Sequence, residues 1–405
     1  MIRFFAVSSV IFSACLSVAL AQTPPALPAP PALPTVAPSA PSISATAYVM
    51  EDFDSAQVIV GKEENARVEP ASITKLMTSY VVFNELKAGQ LKLTDAVTIS
   101  ERAWKMEGSR TFIKAGSTVD VETLLKGMIV QSGNDAAVAL AEHVAGSEDA
   151  FASLMNQYAQ RLSMTGTHYV NATGLPDPEL FTTPRDIVRL SRAIIAEFPK
   201  FYEWYSLKSF KFNGIDQFNR NRLLWRDPTV DGLKTGHTET AGFCLVTSAK
   251  RGTQRLLIVV MGTQSEGARA DETQKLLNYG FRFFETVALF PANQPLAQAT
   301  VLKGALETVP LGLKEPLVVT LPRGQYAQLQ AKLSVKSTLI APVKSGDAFG
   351  HVRVELGKEV LVQKPLVALS EVVEGGWWTR TVDSAKLMIW SAEGETESSA
   401  SPAAK

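Results

Sequence analysis

The chain is short of cysteine and histidine and carries no excess of either charge. Its two cysteines are Cys15 and Cys244. Cys15 lies inside an N-terminal apolar run, so a processed chain keeps one thiol and has no internal disulfide. The preceding Phe12-Ser13-Ala14 is a poor lipidation context. Cys244, within Phe243-Cys244-Leu245-Val246, reads as a small buried apolar residue rather than a nucleophile. The four histidines, at 143, 168, 237 and 351, lack metal-ligand spacing, so neither a metal nor a cofactor is indicated. Lys plus Arg and Asp plus Glu both number 40, which leaves no basic face to recognise nucleic acid.

What is present divides into segments. Met-Ile-Arg, an apolar run from Phe4 to Leu20 and a closing Ala19-Leu20-Ala21 predict a secretory signal over residues 1–21. A transmembrane anchor is the alternative, but the run is short and broken by Ser8, Ser9, Ser13 and Ser17. Residues 22–44 hold prolines at 24, 25, 28, 30, 31, 34, 38 and 41 and predict an extended spacer. A proline-rich ligand for a partner domain is the less economical reading.

Folded sequence is expected from Ala45. Two apolar runs within Ala47–Val60 predict a hairpin. Helical periodicity covers Ser72–Lys87, with Ile73, Leu76, Met77, Tyr80 and Val81 on one side and Gly89 past the end. Helices also fit Val121–Val130, Asp135–Val144, Ala150–Met164, Thr183–Glu197 and Asp271–Phe284. Thr183, Pro184 and Asp186 form a start signal for the helix they open. Phe243–Ser248 and Arg255–Met261 read as strands, so distant parts of the chain complete one sheet. Past Pro291, β-type runs at Pro316–Leu321, Ala331–Val335, His351–Leu356 and Val360–Val362 predict a small β-sandwich over 291–372. Residues 373–391 predict an amphipathic helix with Trp377, Trp378, Val382, Ala385, Met388 and Ile389 on one side. Such a helix suits a membrane headgroup layer, or else the protein's own surface. Residues 392–405 form a polar tail expected to be disordered.

Three short elements carry chemistry. In Ser72-Ile73-Thr74-Lys75, a serine at the start of a helix has a lysine three residues on, within reach of its hydroxyl. The lysine works as a base only if burial or a second cation lowers its pKa. Ser132-Gly133-Asn134 lies between two helical runs, where a tight turn presents a hydroxyl and an amide to a cleft. Lys234-Thr235-Gly236, placed on a strand edge, supplies that second cation in Lys234. It also offers a hydroxyl for a substrate carboxylate in Thr235 and, at Gly236, room for a peptide to approach the backbone. Each tripeptide or tetrapeptide alone is weak; the ordered set is that of penicillin-binding proteins and class A β-lactamases.

With Pro70-Ala71-Ser72-Ile73-Thr74-Lys75-Leu76-Met77, Ser132-Gly133-Asn134-Asp135-Ala136, Asn219-Arg220-Asn221 and Asp231-Gly232-Leu233-Lys234-Thr235-Gly236-His237-Thr238, the chain from Ala45 onward resembles the low-molecular-mass penicillin-binding proteins, serine-type D-Ala-D-Ala carboxypeptidases. The resemblance implies an α/β (α+β) β-lactamase/transpeptidase-like catalytic domain over 45–290, an antiparallel sheet flanked by a helical cluster. It also implies a small all-β domain and a C-terminal amphipathic anchor. Ser72 would be the nucleophile and Lys75 the base, with Asn134 in the same catalytic set. Ser132 and Lys234 would relay protons, and the N–H groups of Ser72 and His237 would form the oxyanion hole. Thr235 and Arg220 would hold the terminal carboxylate, with Gly236 beside them. The implied partners are peptidoglycan stem peptides, β-lactams and, after export to the periplasm, the inner-membrane surface. The sequence leaves homodimer formation open. A D,D-endopeptidase is a near alternative. A β-lactamase is disfavoured because Glu179 lacks the Glu-x-x-Leu-Asn pattern.

Overall fold

Ala47–Asp52 is buried along its whole length and takes an inner position in a five-stranded sheet. The strand order is Val58–Lys62, Ala47–Asp52, Gln254–Thr263, Gly242–Arg251, Val230–Thr238, antiparallel throughout. The first two strands thus join three that arrive about 170 residues later, with the helices in between. Lys234 and its neighbours occupy an edge strand, as the sequence predicts. The structure is a computed structural model and describes residues 37–390 and 396–400. The expected signal segment and most of the proline-rich spacer lie outside them.

The centre of the helical cluster is Lys75–Ala88. The sequence predicts one buried side for it; the structure also buries Thr78, Ser79, Val82 and Phe83. Helices Asn134–Ala145, Glu148–Arg161 and Pro184–Glu197 pack around it, so Lys75–Phe83 are buried on every side and only the last turn reaches solvent. Its hydroxyls are satisfied internally: Thr78 Oγ1 donates to Ala172 O at 2.7 Å and Ser79 Oγ to Lys75 O at 2.9 Å. Gly89, at φ 73°, ends the helix in the left-handed region. Thr183 caps its helix as expected, accepting from the Asp186 N–H at 3.1 Å. Two short strand pairs, Ala96–Thr98 with Thr118–Asp120 and Ser209–Phe212 with Ile215–Phe218, had no sequence signal because three or four residues are too few to show alternation.

The chain enters a second, all-β body at Phe284, where Phe284–Phe290 pairs with Leu317–Pro322. A seven-stranded sheet follows in the order Thr338–Ile340, Pro295–Leu302, Thr308–Gly312, Glu359–Ala368, Ala348–Leu356, Leu329–Val335, Thr396–Ala400. Val301, Val309, Leu311, Val319, Val352 and Leu366 belong to its separate core. Thr396–Ala400 falls within the tail expected to be disordered; it pairs instead with Leu329–Val335, whose outer N–H and C=O groups accept an extended partner. The two bodies meet at Asp52, which is fully buried. Its carboxylate accepts from the Asp54 and Ser55 N–H groups and, at 2.5 Å, from Thr286 Oγ1 of the second body.

The helix Trp377–Trp390 forms as expected, with one polar residue, Asp383, facing the protein. Asp383 is buried and accepts from the Lys303 N–H at 2.7 Å, while Trp377, Trp378 and Val382 remain 59%, 66% and 53% exposed. No helix among the described residues is long and apolar enough to cross a membrane.

The central helix generates a direct stability test. Phe83 is fully buried against Phe198 and Phe201. Phe83→Ala should cost about 3–5 kcal/mol through lost transfer energy and a residual cavity, read as a lower urea midpoint for the first body.

Candidate active site

Pro70 precedes a single 3₁₀ turn, Ala71–Thr74, and the α-helix begins only at Lys75. Ser72 therefore sits on the tighter turn ahead of the helix, not in the first α-turn that the sequence suggests. Ala71, just before it, has φ 47°, a backbone state alanine seldom adopts outside functional sites. Gly174 holds this turn from outside: a Cβ there would lie 1.7 Å from Ala71 O, so only glycine permits the approach.

Lys75 is buried at the centre of the site. Its Nζ lies 3.0 Å from Ser72 Oγ, 2.7 Å from Asn134 Oδ1 and 2.6 Å from Thr173 O. Counting protons fixes what these contacts allow. An ammonium uses all three N–H bonds, one on each oxygen. A neutral amine keeps two for Asn134 and Thr173, which have no proton to give from those atoms, and turns its lone pair to the Ser72 hydroxyl. Burial lowers the Lys75 pKa to about 7; the carboxylates of Asp135 and Glu148 oppose the shift and Arg220 adds to it. Arg220 adds to the effect of burial at Lys75, and Lys234, the second cation of the sequence reading, is coupled to the same amine. Lys234 is itself held well below the ordinary lysine value, by burial first and then by Lys75.

The helix Val121–Lys126 widens into a π-type turn, Gly127–Gln131, that ends on Ser132 at φ 68°. This delivers Ser132 and Asn134 to the cleft as expected. Lys234 Nζ donates to Ser132 Oγ at 2.9 Å and to Thr235 O at 3.0 Å. Asn134 Nδ2 donates to Glu107 O at 2.6 Å, which settles its amide orientation toward Lys75. Asp135, fully buried, accepts from the N–H groups of Thr111 at 2.8 Å and Phe112 at 2.9 Å, tying the preceding loop to the same turn. The sequence reading included Asp135 only as part of a matching string.

A cavity of about 370 Å³ opens over these groups, with Ser72, Ser132, Asn134, Thr235, His237 and Arg220 in its wall. The two lysines lie behind that wall. Gly236 also lines it, but its missing Cβ would face Pro70 O and Ala71 Cβ at 3.1 and 3.2 Å. That glycine also lets the edge strand sit against the Ser72 turn, a second role beside the expected peptide approach. Arg220 stands between Asn219 and Asn221, whose side chains pin the backbone to Leu207 O at 3.0 Å and Gly232 O at 3.1 Å. Arg269, nearly buried, reaches the cavity and donates to Gly236 O at 3.3 Å. Sequence reasoning missed it because the helix was started at Asp271. The helix in fact spans Glu266–Phe283, and the Ser265 cap on the Ala268 N–H was the available signal. Glu179 is exposed and absent from the cavity wall.

The lysine geometry sets a pH dependence. Its folded pKa is depressed, so the neutral amine dominates above about 7 and the ammonium below it. Covalent labelling of Ser72 by penicillin should therefore rise as pH increases through about 7, and Lys75→Arg, which stays charged, should abolish it. Stopped-flow or gel-based labelling across pH 5–9 is the measurement.

Comparison with known proteins agrees with this geometry. Residues 34–265 match the family described as Peptidase S11, D-alanyl-D-alanine carboxypeptidase. Residues 284–374 match the C-terminal domain of penicillin-binding protein 5. The D-alanyl-D-alanine carboxypeptidase DacC of Escherichia coli is 43% identical over 352 residues, 85% of this chain and 88% of that protein. The crystal structure of penicillin-binding protein 5 from Haemophilus influenzae superposes with a TM-score of 0.80 at 38% identity, covering 83% of this chain and 99% of that one. The ampicillin-bound penicillin-binding protein D2 of Listeria monocytogenes is more distant, with a TM-score of 0.55 at 27% identity over 59% of this chain and 98% of that one. With its catalytic elements and its β-body both accounted for, the chain belongs to the D-alanyl-D-alanine carboxypeptidase family of serine peptidases, peptidase S11.

Proposed function

We propose that the protein removes the terminal D-alanine from peptidoglycan pentapeptide stems through an acyl-enzyme on Ser72. The observation that carries this reading is the Lys75 amine, poised near neutrality with its lone pair available only to Ser72 Oγ. The Ser72 proton passes to Lys75 Nζ as Oγ attacks the carbonyl carbon of the penultimate D-alanine. The N–H groups of Ser72 and His237 receive the developing oxyanion. When the C–N bond breaks, Ser132 and Lys234 deliver a proton to the departing amine. Thr235 and Arg220 hold the free carboxylate, which selects a chain end over a mid-chain bond. Water then attacks the ester, Lys75 takes its proton, and Ser72 is restored. The exposed Glu179 supports no β-lactamase-type activation of that water.

A pentapeptide ending in D-Ala-D-Ala should release D-alanine with wild type and not with Ser72→Ala, and a labelled penicillin adduct should vanish in the same mutant. An adduct without D-alanine release would redirect the reading toward an endopeptidase; no adduct at all would end it.

The same reading places the protein on the outer side of a bacterial inner membrane, exported by its N-terminal segment and resting on the bilayer through the Trp377–Trp390 helix. A helix that buries Asp383 and leaves Trp377, Trp378 and Val382 exposed supports interfacial contact without spanning. Deleting residues 375–405 should shift the protein from the membrane to the soluble fraction while D-alanine release in solution stays within about twofold. A truncated protein that still sediments with membranes would refute the attachment.

A further inference from the structure

Among the charged groups around Lys75 that the mechanism above does not use, Glu148 is the one tied to the loop that holds the amine. Glu148 is buried and opens the helix Glu148–Arg161. Its Oε1 accepts from the Ala172 N–H at 3.0 Å, and its Oε2 meets Arg102 at 2.6 Å. The next peptide, Thr173, presents the carbonyl on which Lys75 Nζ donates at 2.6 Å. Thr78 Oγ1 holds the Ala172 carbonyl from the other side at 2.7 Å. Asn171 Oδ1 gathers the N–H groups of Thr173 and Gly174 at 3.2 and 2.7 Å, shaping the turn locally. Of these contacts, only the Glu148 bond carries a charge into the loop.

We infer that Glu148 is a positioning residue for the Lys75 base: through the Ala172 N–H it sets the Thr173 carbonyl that fixes the amine. The inference rests on the reading of Lys75 as base. Two consequences separate from one another. Fixing the carbonyl keeps the lone pair aimed at Ser72, which governs the rate at high pH. The negative charge stabilises the ammonium, which governs the pH at which that rate is reached.

The charged groups that bear on the amine are Asp135 on the helix Asn134–Ala145, Glu148, Lys234 on the edge strand and Arg220 on the segment before Leu223. Asp135 also raises the Lys75 pKa, but it is committed to the loop at Thr111 and Phe112. Arg102 partners Glu148 from a side chain that is 56% exposed, so it can turn to water if the carboxylate is lost. Glu148→Gln therefore removes the charge and keeps an acceptor for the Ala172 N–H.

The test is the penicillin acylation rate of the full chain from pH 5 to 9, with folding checked by thermal melting. In Glu148→Gln the acid limb should move to lower pH. At a pH below the wild-type midpoint the variant, scaled to its own plateau, should then acylate about threefold faster. In Glu148→Asp the charge remains but is drawn back by a methylene. Its limb should stay at the wild-type pH while the plateau falls about tenfold or more. A Glu148→Gln limb at the wild-type pH, or a Glu148→Asp plateau equal to wild type, overturns the inference. If Glu148→Gln does not fold, the Glu148→Asp plateau decides alone. Failure of the underlying reading looks different: wild type itself would then show no Ser72 adduct or no acid limb near 7.

Discussion

Burying one amine is the constraint on which the first body is built. A lysine taken out of water needs oxygen acceptors for its protons, and Lys75 finds them on three separate stretches of chain. Ser72 comes from the turn before its own helix, Asn134 from the neighbouring helix and Thr173 from a loop 98 residues away. Each has a support of its own: Ala71 and Gly174 for the serine, Glu107 for the asparagine, Glu148 and Thr78 for the threonine carbonyl. The cluster buries Lys75–Phe83 on every side, because a wet side at this end of the helix would let water restore the lysine to its ordinary pKa. The cost of desolvation is thereby converted into a base that works near neutral pH.

Much of this was legible in advance where chemistry and local pattern coincide. Ser72, Lys75, Ser132, Asn134, Lys234 and Thr235 stand within three short motifs, and hydrogen bonds behind one cavity wall bring them together. The Thr183 cap and the antiparallel pairing of Gly242–Arg251 with Gln254–Thr263 were equally plain. What stayed hidden depends on contacts distant in sequence. Glu148 and Arg269 are single charged residues on helices, and nothing local tells a buried charge from a solvated one. The 3₁₀ turn at Ser72 is set by Gly174 and the edge strand pressing on it, neither of which is a neighbour in sequence. The Thr396–Ala400 strand has a composition suited to a tail and is ordered by the open edge of another strand.

The two bodies divide the work by polarity. Asp52 closes their junction with hydrogen bonds from both sides, a polar contact between two apolar cores that do not merge. Near the end of the described residues, the helix Trp377–Trp390 turns Asp383 inward and leaves Trp377 and Trp378 exposed.

The position of the two lysines also bears on how the reaction ends. Two buried amines that lower one another's proton affinity resist holding two protons at once. The proton taken from Ser72 can then leave with the departing amine instead of accumulating in the site. When D-alanine departs, its place opens to water and Lys75 is again neutral and able to activate it. A penicillin behaves otherwise for a purely chemical reason: ring opening leaves the departing nitrogen tethered to the acyl group, where it continues to occupy the approach to the ester. Glu179 is exposed and outside the cavity, so it does not bring water from another direction. Under the proposed mechanism the same amine geometry hydrolyses a peptide end and leaves a β-lactam ester shielded from water.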